Sequence, residues 1–292
     1  MAVADKARKI LDAASVTPPY RAAMATALTL PGNVLSGTPN VRWARLVWTC
    51  CTAAGGTWER AIPVSAAVEI FLTALDVLDD VEDGEVTPMH TNMGGARTLN
   101  VSTGLLLLAQ QSLLDDAGPI AAGIVQRAGL IACAGQHADL APVEHRRPNL
   151  NESLAVTAEK SASLVAAVCR LGALHAGARA PLQELYAHYG WCLGMVLQLV
   201  NDIAAIKPGT DGKTDALLER PTLPLTHAAR LRRLTDARVR DDDAGTALWT
   251  GGPAYLAWTV ADTYRRHALD VVPRLTSDAV ARAALTGLLQ RR

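Results

Sequence analysis

The sequence predicts an all-α protein, and three observations carry that expectation. Alternating β-branched runs closed by Asn-Gly or Asp-Gly turns do not occur. Ala- and Leu-rich segments recur at helical spacing, and turn-forming clusters divide them into about ten helices. Half of the 292 residues are hydrophobic and 19% are charged, a globular composition with a large core to bury. The 28 basic residues equal the 28 acidic ones, so no net field collects nucleic acid or an anionic membrane, and function must come from local clusters.

Taken in order, the breakers are "TPPY" (17–20), "LPGNVLSGTPN" (30–40), "AAGGTWERAIP" (53–63), "GEVTPMHTNMGG" (84–95) and "DDAGP" (115–119). They continue with "APVEHRRPNLN" (141–151), "HAGARAP" (175–181), "KPGTDGK" (207–213) and "TGGP" (250–253). None is long enough to be a domain linker and no internal repeat is visible, so one all-α domain over residues 1–292 is the economical expectation. The five cysteines, Cys50, Cys51, Cys133, Cys169 and Cys192, lie in Ala/Val/Leu-rich contexts without metal-ligand spacing and read as buried small apolar residues in a reducing compartment. The N-terminus "MAVADKARKILDAA" has no long apolar region, and no segment offers about 20 uncharged apolar residues. A soluble, cytoplasmic protein with no integral membrane segment is expected.

One stretch needs a cause. In "LDVLDDVEDGE" (75–85) six carboxylates, Asp76, Asp79, Asp80, Glu82, Asp83 and Glu85, follow the apolar run "VSAAVEIFLTAL". A helix over 64–83 brings Asp76, Asp79, Asp80 and Asp83 near one face. That face lies at the C-terminal end, where the macrodipole disfavours negative charge. Such a group is destabilising unless it holds a cation, and hard oxygen ligands in this number suit Mg²⁺, which bridges carboxylates to phosphate. The bland alternative is a solvated helix end. Asp241, Asp242 and Asp243 show that case, sitting beside Arg238 and Arg240 with no apolar helix leading into them.

The same stretch resembles the first aspartate-rich motif, D-D-x-x-D, of the trans-polyprenyl diphosphate synthases, carried here by Asp79, Asp80 and Asp83. Further matches follow in order. "AGQHADL" (134–140) is similar to the family's G-Q-x-x-D segment, "EKSASLVAAV" (159–168) to its K-T segment, and "GMVLQLVNDIAAI" (194–206) to its second aspartate-rich helix. "KTDALLERPTLPLTHA" (213–228) is similar to the tail of that helix. The resemblance implies an isoprenoid synthase helical bundle around a deep central cavity, with two acidic helix ends across its mouth. It assigns Mg²⁺ to Asp79, Asp80, Asp83, Asn201 and Asp202, and the substrate diphosphate to Lys160, Lys213 and Arg220. It places Phe71, Ala74, Leu75, Gln136, Trp191 and Gln198 along the cavity, the first three within about two turns below the first aspartate. It also implies a prenyl diphosphate substrate and a homodimer, which "TLNVSTGLLLLAQQSLL" (98–114) supports by its excess of apolar residues.

Three departures from the family pattern bear on function. Where chain-elongating members carry G-K-R-x-R-P for isopentenyl diphosphate, this chain has "PNVRWA" (39–44), with Arg42 and Arg45 out of register. The arginine-rich loop after the first motif is shorter and has no arginine before Arg97. In the second motif Asn201 and Asp202 are followed by Ala205, with Asp211 or Asp215 as further candidates. Loss of two elements for a second diphosphate favours a class I terpene synthase that ionises one C15 or C20 allylic diphosphate and rearranges or cyclises it. The alternatives are a chain-elongating synthase using Arg42, Arg45 and Arg97, and a non-catalytic partner subunit. The tryptophans at 43, 48, 58, 191, 249 and 258 read singly as core, and His137 and His188 as structural or exposed.

Overall fold

The structure is a computed structural model and describes residues 2–140, 149–207, 220–235 and 248–290. Lys213, Asp211, Asp215, the 144–148 loop and Asp241, Asp242 and Asp243 lie outside the described residues. Among those described there is no strand. The helices are α1 (Ala2–Ala13), α2 (Pro18–Leu28), α3 (Arg42–Ala53), α4 (Ile62–Glu82), α5 (Pro88–Met93) and α6 (Gly95–Asp139). After these come α7 (Leu150–Thr157), α8 (Ser163–His175), α9 (Ala180–Ala205), α10 (Leu223–Thr235), α11 (Gly252–Leu275) and α12 (Ala279–Leu288).

Two compact units interleave along the chain, one comprising 1–127 and 168–183, the other 128–167 and 184–292. In the first, α1, α2 and α3 all pack on α4. The reason lies in α4 itself, where every residue from Val64 to Ala74 is buried, so the helix is apolar nearly all round and must be surrounded. The second half of α8 closes on α3 because Gly172 has no side chain: a Cβ there would meet Val47 O at 2.5 Å and Cys50 Cβ at 2.6 Å. The "DDAGP" breaker interrupts α6 as the sequence predicts: two helical stretches meet at a kink at Gly118, whose φ and ψ are non-helical. Gly118 takes φ 86 and Pro119, lacking an N–H, opens the next turn.

The second unit is built around Ala158, Ala162, Met195, Leu199, Ile203, Leu223, Ala257 and Ala261, with Trp191 and Trp249 packed at its edge. Between α7 and α8 the chain makes one π-helical turn, Ala158–Ala162. An Asn149/Glu152 capping box starts α7.

Several expectations change. Cys133 is exposed while the other four cysteines are buried, because it falls on the solvent side of α6. Trp58 and Trp258 keep 45% and 47% of their surface and are not core. The "GEVTPMHTNMGG" break contains the short helix α5, capped by Thr87, whose Oγ1 accepts from the His90 N–H. By length and composition 58–82 and 95–139 would suffice to cross a membrane. The first is 72% buried inside the protein, as a core helix should be.

Candidate active site

The first acidic end is the exit of α4. Beyond Ala74 only Val77 of this helix stays buried: Asp76 is exposed, and Leu75, Asp79, Asp80 and Asp83 are half-buried. The helix stops in a Schellman motif. Gly84 takes φ 69, its N–H donates to Val81 O at 3.1 Å, and Glu85 N–H donates to Asp80 O at 2.8 Å. Two orphan carbonyls are thereby engaged, which lessens the penalty for carboxylates at this end.

Arg42, the first residue of α3, brings Nη2 to 3.6 Å from Asp76 Oδ2 and lies over the Trp43 ring at 4.9 Å from its centroid. The two side chains are 57% and 60% exposed, so the pair contributes little stability. Its consequence is positional: a cation stands beside the acidic face. The Asp76 carboxyl is pushed up to about 6, first by desolvation and then by Asp79 and Asp80, with Arg42 opposing. Water reaches most of that side chain and screens the shift.

One level deeper, Glu69 is 4% exposed and its Oε1 accepts the Ala44 N–H at 2.8 Å. Burial pushes its carboxyl up to about 7, against the pull of the Ala44 N–H, Arg42 and the Trp43 N–H. Phe71 and Ala74 are buried, and Ala74 O accepts from Ser102 Oγ on α6 at 2.6 Å. Ala74 is therefore enclosed on its α6 side, and a larger residue there would overpack. A separate cavity of about 330 Å³ in this unit is lined by Arg60, Ala117, Gly118, Pro119, Ile120, Leu174 and His175, none of them a predicted site residue.

The second acidic end is organised differently. Asp202, near the C-terminus of α9, is 7% exposed and accepts from Gln198 Nε2 at 2.8 Å, while Gln198 Oε1 accepts from Ser161 Oγ at 2.7 Å. Its carboxyl is pushed up to about 6, first by desolvation and further by Asp139, with the Gln198 amide and Lys160 lowering it. Asn201 is exposed, and α9 ends at Ala205. Asp139, on the last turn of α6, is the hub of this unit: one oxygen accepts from Lys160 Nζ at 3.1 Å and from Arg220 Nη1 at 2.7 Å. The glycine of "AGQHADL" makes this approach possible, since a Cβ on Gly135 would lie 2.4 Å from Lys160 N. Gln136 beside it is buried, and among the described residues neither its Oε1 nor its Nε2 has a hydrogen-bond partner, an arrangement costly enough to point to a polar ligand.

Among the predicted residues, Asp79, Asp80 and Asp83 share one helix end, and Lys160, Arg220, Gln198 and Asp202 share the network that Asp139 organises. Trp191 is half-buried against the second unit's core. Glu69 and Asp139 were missed as site residues. Asp139 stood in the quoted G-Q-x-x-D match, but a lone charge near a helix end gives no sign of partners 21 and 81 positions away. Glu69 had a signal of its own, a single carboxylate inside an otherwise uncharged run.

Oxygen-only donors at the end of α4 fit Mg²⁺ in kind. No group of three or more His, Cys, Asp or Glu side chains closes to metal-binding distance among the described residues. That is compatible with an ion that takes one or two carboxylates and completes its shell with water and phosphate oxygens.

This fold and these motifs define an isoprenoid synthase bundle. The Polyprenyl synthetase family profile matches residues 33–243, and the chain belongs to that family. It is 32% identical over 194 residues to a (2E,6E)-farnesyl diphosphate synthase of Mycobacterium tuberculosis, covering 62% of this chain and 54% of the relative. It is 30% identical over 244 residues to a geranylgeranyl diphosphate synthase of the same organism, covering 77% and 66%. The chain thus spans about half the length of the first of these relatives. A Caulobacter crescentus polyprenyl synthase complexed with calcium and isoprenyl diphosphate superposes with a TM-score of 0.77 over 99% of this chain and 93% of that one, at 24% identity. That likeness supports the fold.

Proposed function

We propose that this protein is a chain-elongating prenyl diphosphate synthase, joining isopentenyl diphosphate to an allylic prenyl diphosphate. The observation that carries this reading is Arg42 beside the acidic face of α4, 3.6 Å from Asp76. The terpene synthase expectation rested on the loss of two basic elements, one at the start of α3 and one in the loop after the first motif; at the first a cation, Arg42, stands beside the acidic face although out of the family's register. The relatives point the same way, being named as prenyl diphosphate synthases. Asp79, Asp80 and Asp83 at the end of α4, and separately Asn201 and Asp202 on α9, are the residues that would hold Mg²⁺. When bound, Mg²⁺ neutralises charge developing on the departing diphosphate.

The chain's own groups have separate tasks in this reading. Lys160 and Arg220, aligned by Asp139, supply positive charge to the allylic diphosphate, and Gln136 offers an amide with no other partner among the described residues. Arg42 binds the second diphosphate, exchanging Asp76 for phosphate oxygens, a better match for a guanidinium. Leu99, Leu107 and Leu114, all substantially exposed along α6, form a stripe suited to pairing with a second copy. A mass of one chain in light scattering at micromolar concentration would contradict a homodimer.

The test of function is incubation with Mg²⁺ and C10, C15 or C20 allylic diphosphates, with and without isopentenyl diphosphate. A longer prenyl diphosphate, formed only when isopentenyl diphosphate is present, is expected. A hydrocarbon or alcohol formed equally in its absence would restore the terpene synthase reading.

A further inference from the structure

We infer that Glu69 is the positioning residue for Arg42: it caps the start of α3 from a neighbouring helix and so fixes the point from which Arg42 reaches toward the second diphosphate. This deepens the chain-elongation reading and rests on it for the substrate. Helix α3 starts without a cap of its own. Val41 occupies the N-cap, with no side-chain oxygen to offer and no side-chain hydrogen bond; the Arg42 N–H donates to Asn40 O at 2.7 Å, but the Trp43 and Ala44 amides would be orphaned. Glu69 supplies the missing acceptor from α4, 25 positions away, taking the Ala44 N–H at 2.8 Å.

A carboxyl buried to this extent is costly, and a helix as apolar as α4 could hold Leu or Ile at this position with less penalty. Its partners account for its presence. Besides the amides of Trp43 and Ala44, the charged groups that act on it are Arg42 and Asp76. Arg42 is the first residue of the helix being capped, immediately before those two amides. A first turn that frays would let Arg42 swing on a mobile backbone, lowering affinity for the diphosphate it meets while leaving the aspartates of α4 in place. The role needs an acceptor oxygen and no charge, so Gln can fill it.

The experiment compares Glu69→Leu, which keeps volume without an acceptor, Glu69→Ala, and Glu69→Gln with the parent. Steady-state constants are measured for each diphosphate, and amide hydrogen exchange is followed in the first turn of α3. Glu69→Leu and Glu69→Ala should raise KM for isopentenyl diphosphate about tenfold, the scale of one lost hydrogen bond to a charged group. KM for the allylic diphosphate should stay within about twofold, and exchange at Trp43 to Leu46 should accelerate. Glu69→Gln should restore both readouts. Equal changes in the two KM values, no change in either, or failure of Gln to restore them would overturn the positioning role. Should the parent not consume isopentenyl diphosphate, the chain-elongation reading fails, and the exchange data alone decide whether Glu69 holds α3: acceleration in Leu and Ala but not Gln supports it, and unchanged exchange refutes it.

Discussion

The end of α4 and the end of α9 both carry family aspartates, yet they differ in kind. The α4 end gathers four carboxylates on a half-open face with one exposed guanidinium nearby. Asp202 on α9 is enclosed, already bonded to Gln198, and shares its surroundings with Asp139, Lys160 and Arg220. The first end gathers carboxylates on a half-open face, whereas in the second Asp202 and Asp139 lie among Lys160 and Arg220, a balanced and braced set. The comparison teaches that metal affinity should be concentrated at α4, while the proposed role of Lys160 and Arg220 toward diphosphate oxygens has to be met by cations that already share Asp139.

The sharpest way to break this asymmetry is to remove one side chain from each end. Asp80→Ala should lower turnover of the allylic diphosphate by about a thousandfold, the upper range for losing one transition-state electrostatic contact. Asn201→Ala should lower it by about tenfold or less. Comparable losses in the two, measured at saturating Mg²⁺, would mean that the ends share the metal equally.

Stability should show the reverse order. Asp139→Ala leaves Lys160 and Arg220, with 23% and 16% of their side chains exposed, without their shared counter-ion. It should cost about 3 kcal/mol in denaturant unfolding. Asp79→Ala relieves like-charge crowding and should cost less than about 1 kcal/mol. If Asp79→Ala proved the more damaging, the acidic end of α4 would be structural rather than functional.

A smaller effect sharpens the account of Glu69 and is read through pH. Its folded pKa is raised from 4.5 to about 7, so the stability associated with its neutral form is fully present below about 4.5 and is lost as pH rises through about 7. Glu69→Gln keeps the acceptor and removes the buried charge. It should melt like the parent near pH 4 and above it at pH 8, by up to about 3 kcal/mol. Parallel pH profiles for the two proteins would show that the carboxyl ionises without cost.

Much of this was legible in the sequence where the determinant is local. The apolar run before the acidic stretch, whose only charged residue is Glu69, specified a buried helix, Gly84 ended it, and Gly135 and Gln136 stood together in one short motif. What stayed hidden depends on tertiary pairing. The joining of Lys160 and Arg220 through Asp139, the use of Glu69 to cap a helix whose N-cap is Val41, and the approach of Arg42 to Asp76 all need the packing of separated helices, which no spacing rule reports. The exposure of Cys133 belongs with these, because an apolar context states that a helix has a buried face, not which residues occupy it, whereas the kink at Gly118 falls in the "DDAGP" breaker.

The most direct test of the central claim, that a displaced arginine at the first acidic end lets this chain use a second diphosphate, is the incorporation of labelled isopentenyl diphosphate by the parent and by Arg42→Ala. The assay is run with Mg²⁺ and a saturating allylic diphosphate. The account predicts label in a longer prenyl diphosphate from the parent and at least about a tenfold higher KM for isopentenyl diphosphate in Arg42→Ala, with the allylic KM unchanged. Consumption of the allylic diphosphate at the same rate in both proteins, with no label in any product, would contradict it.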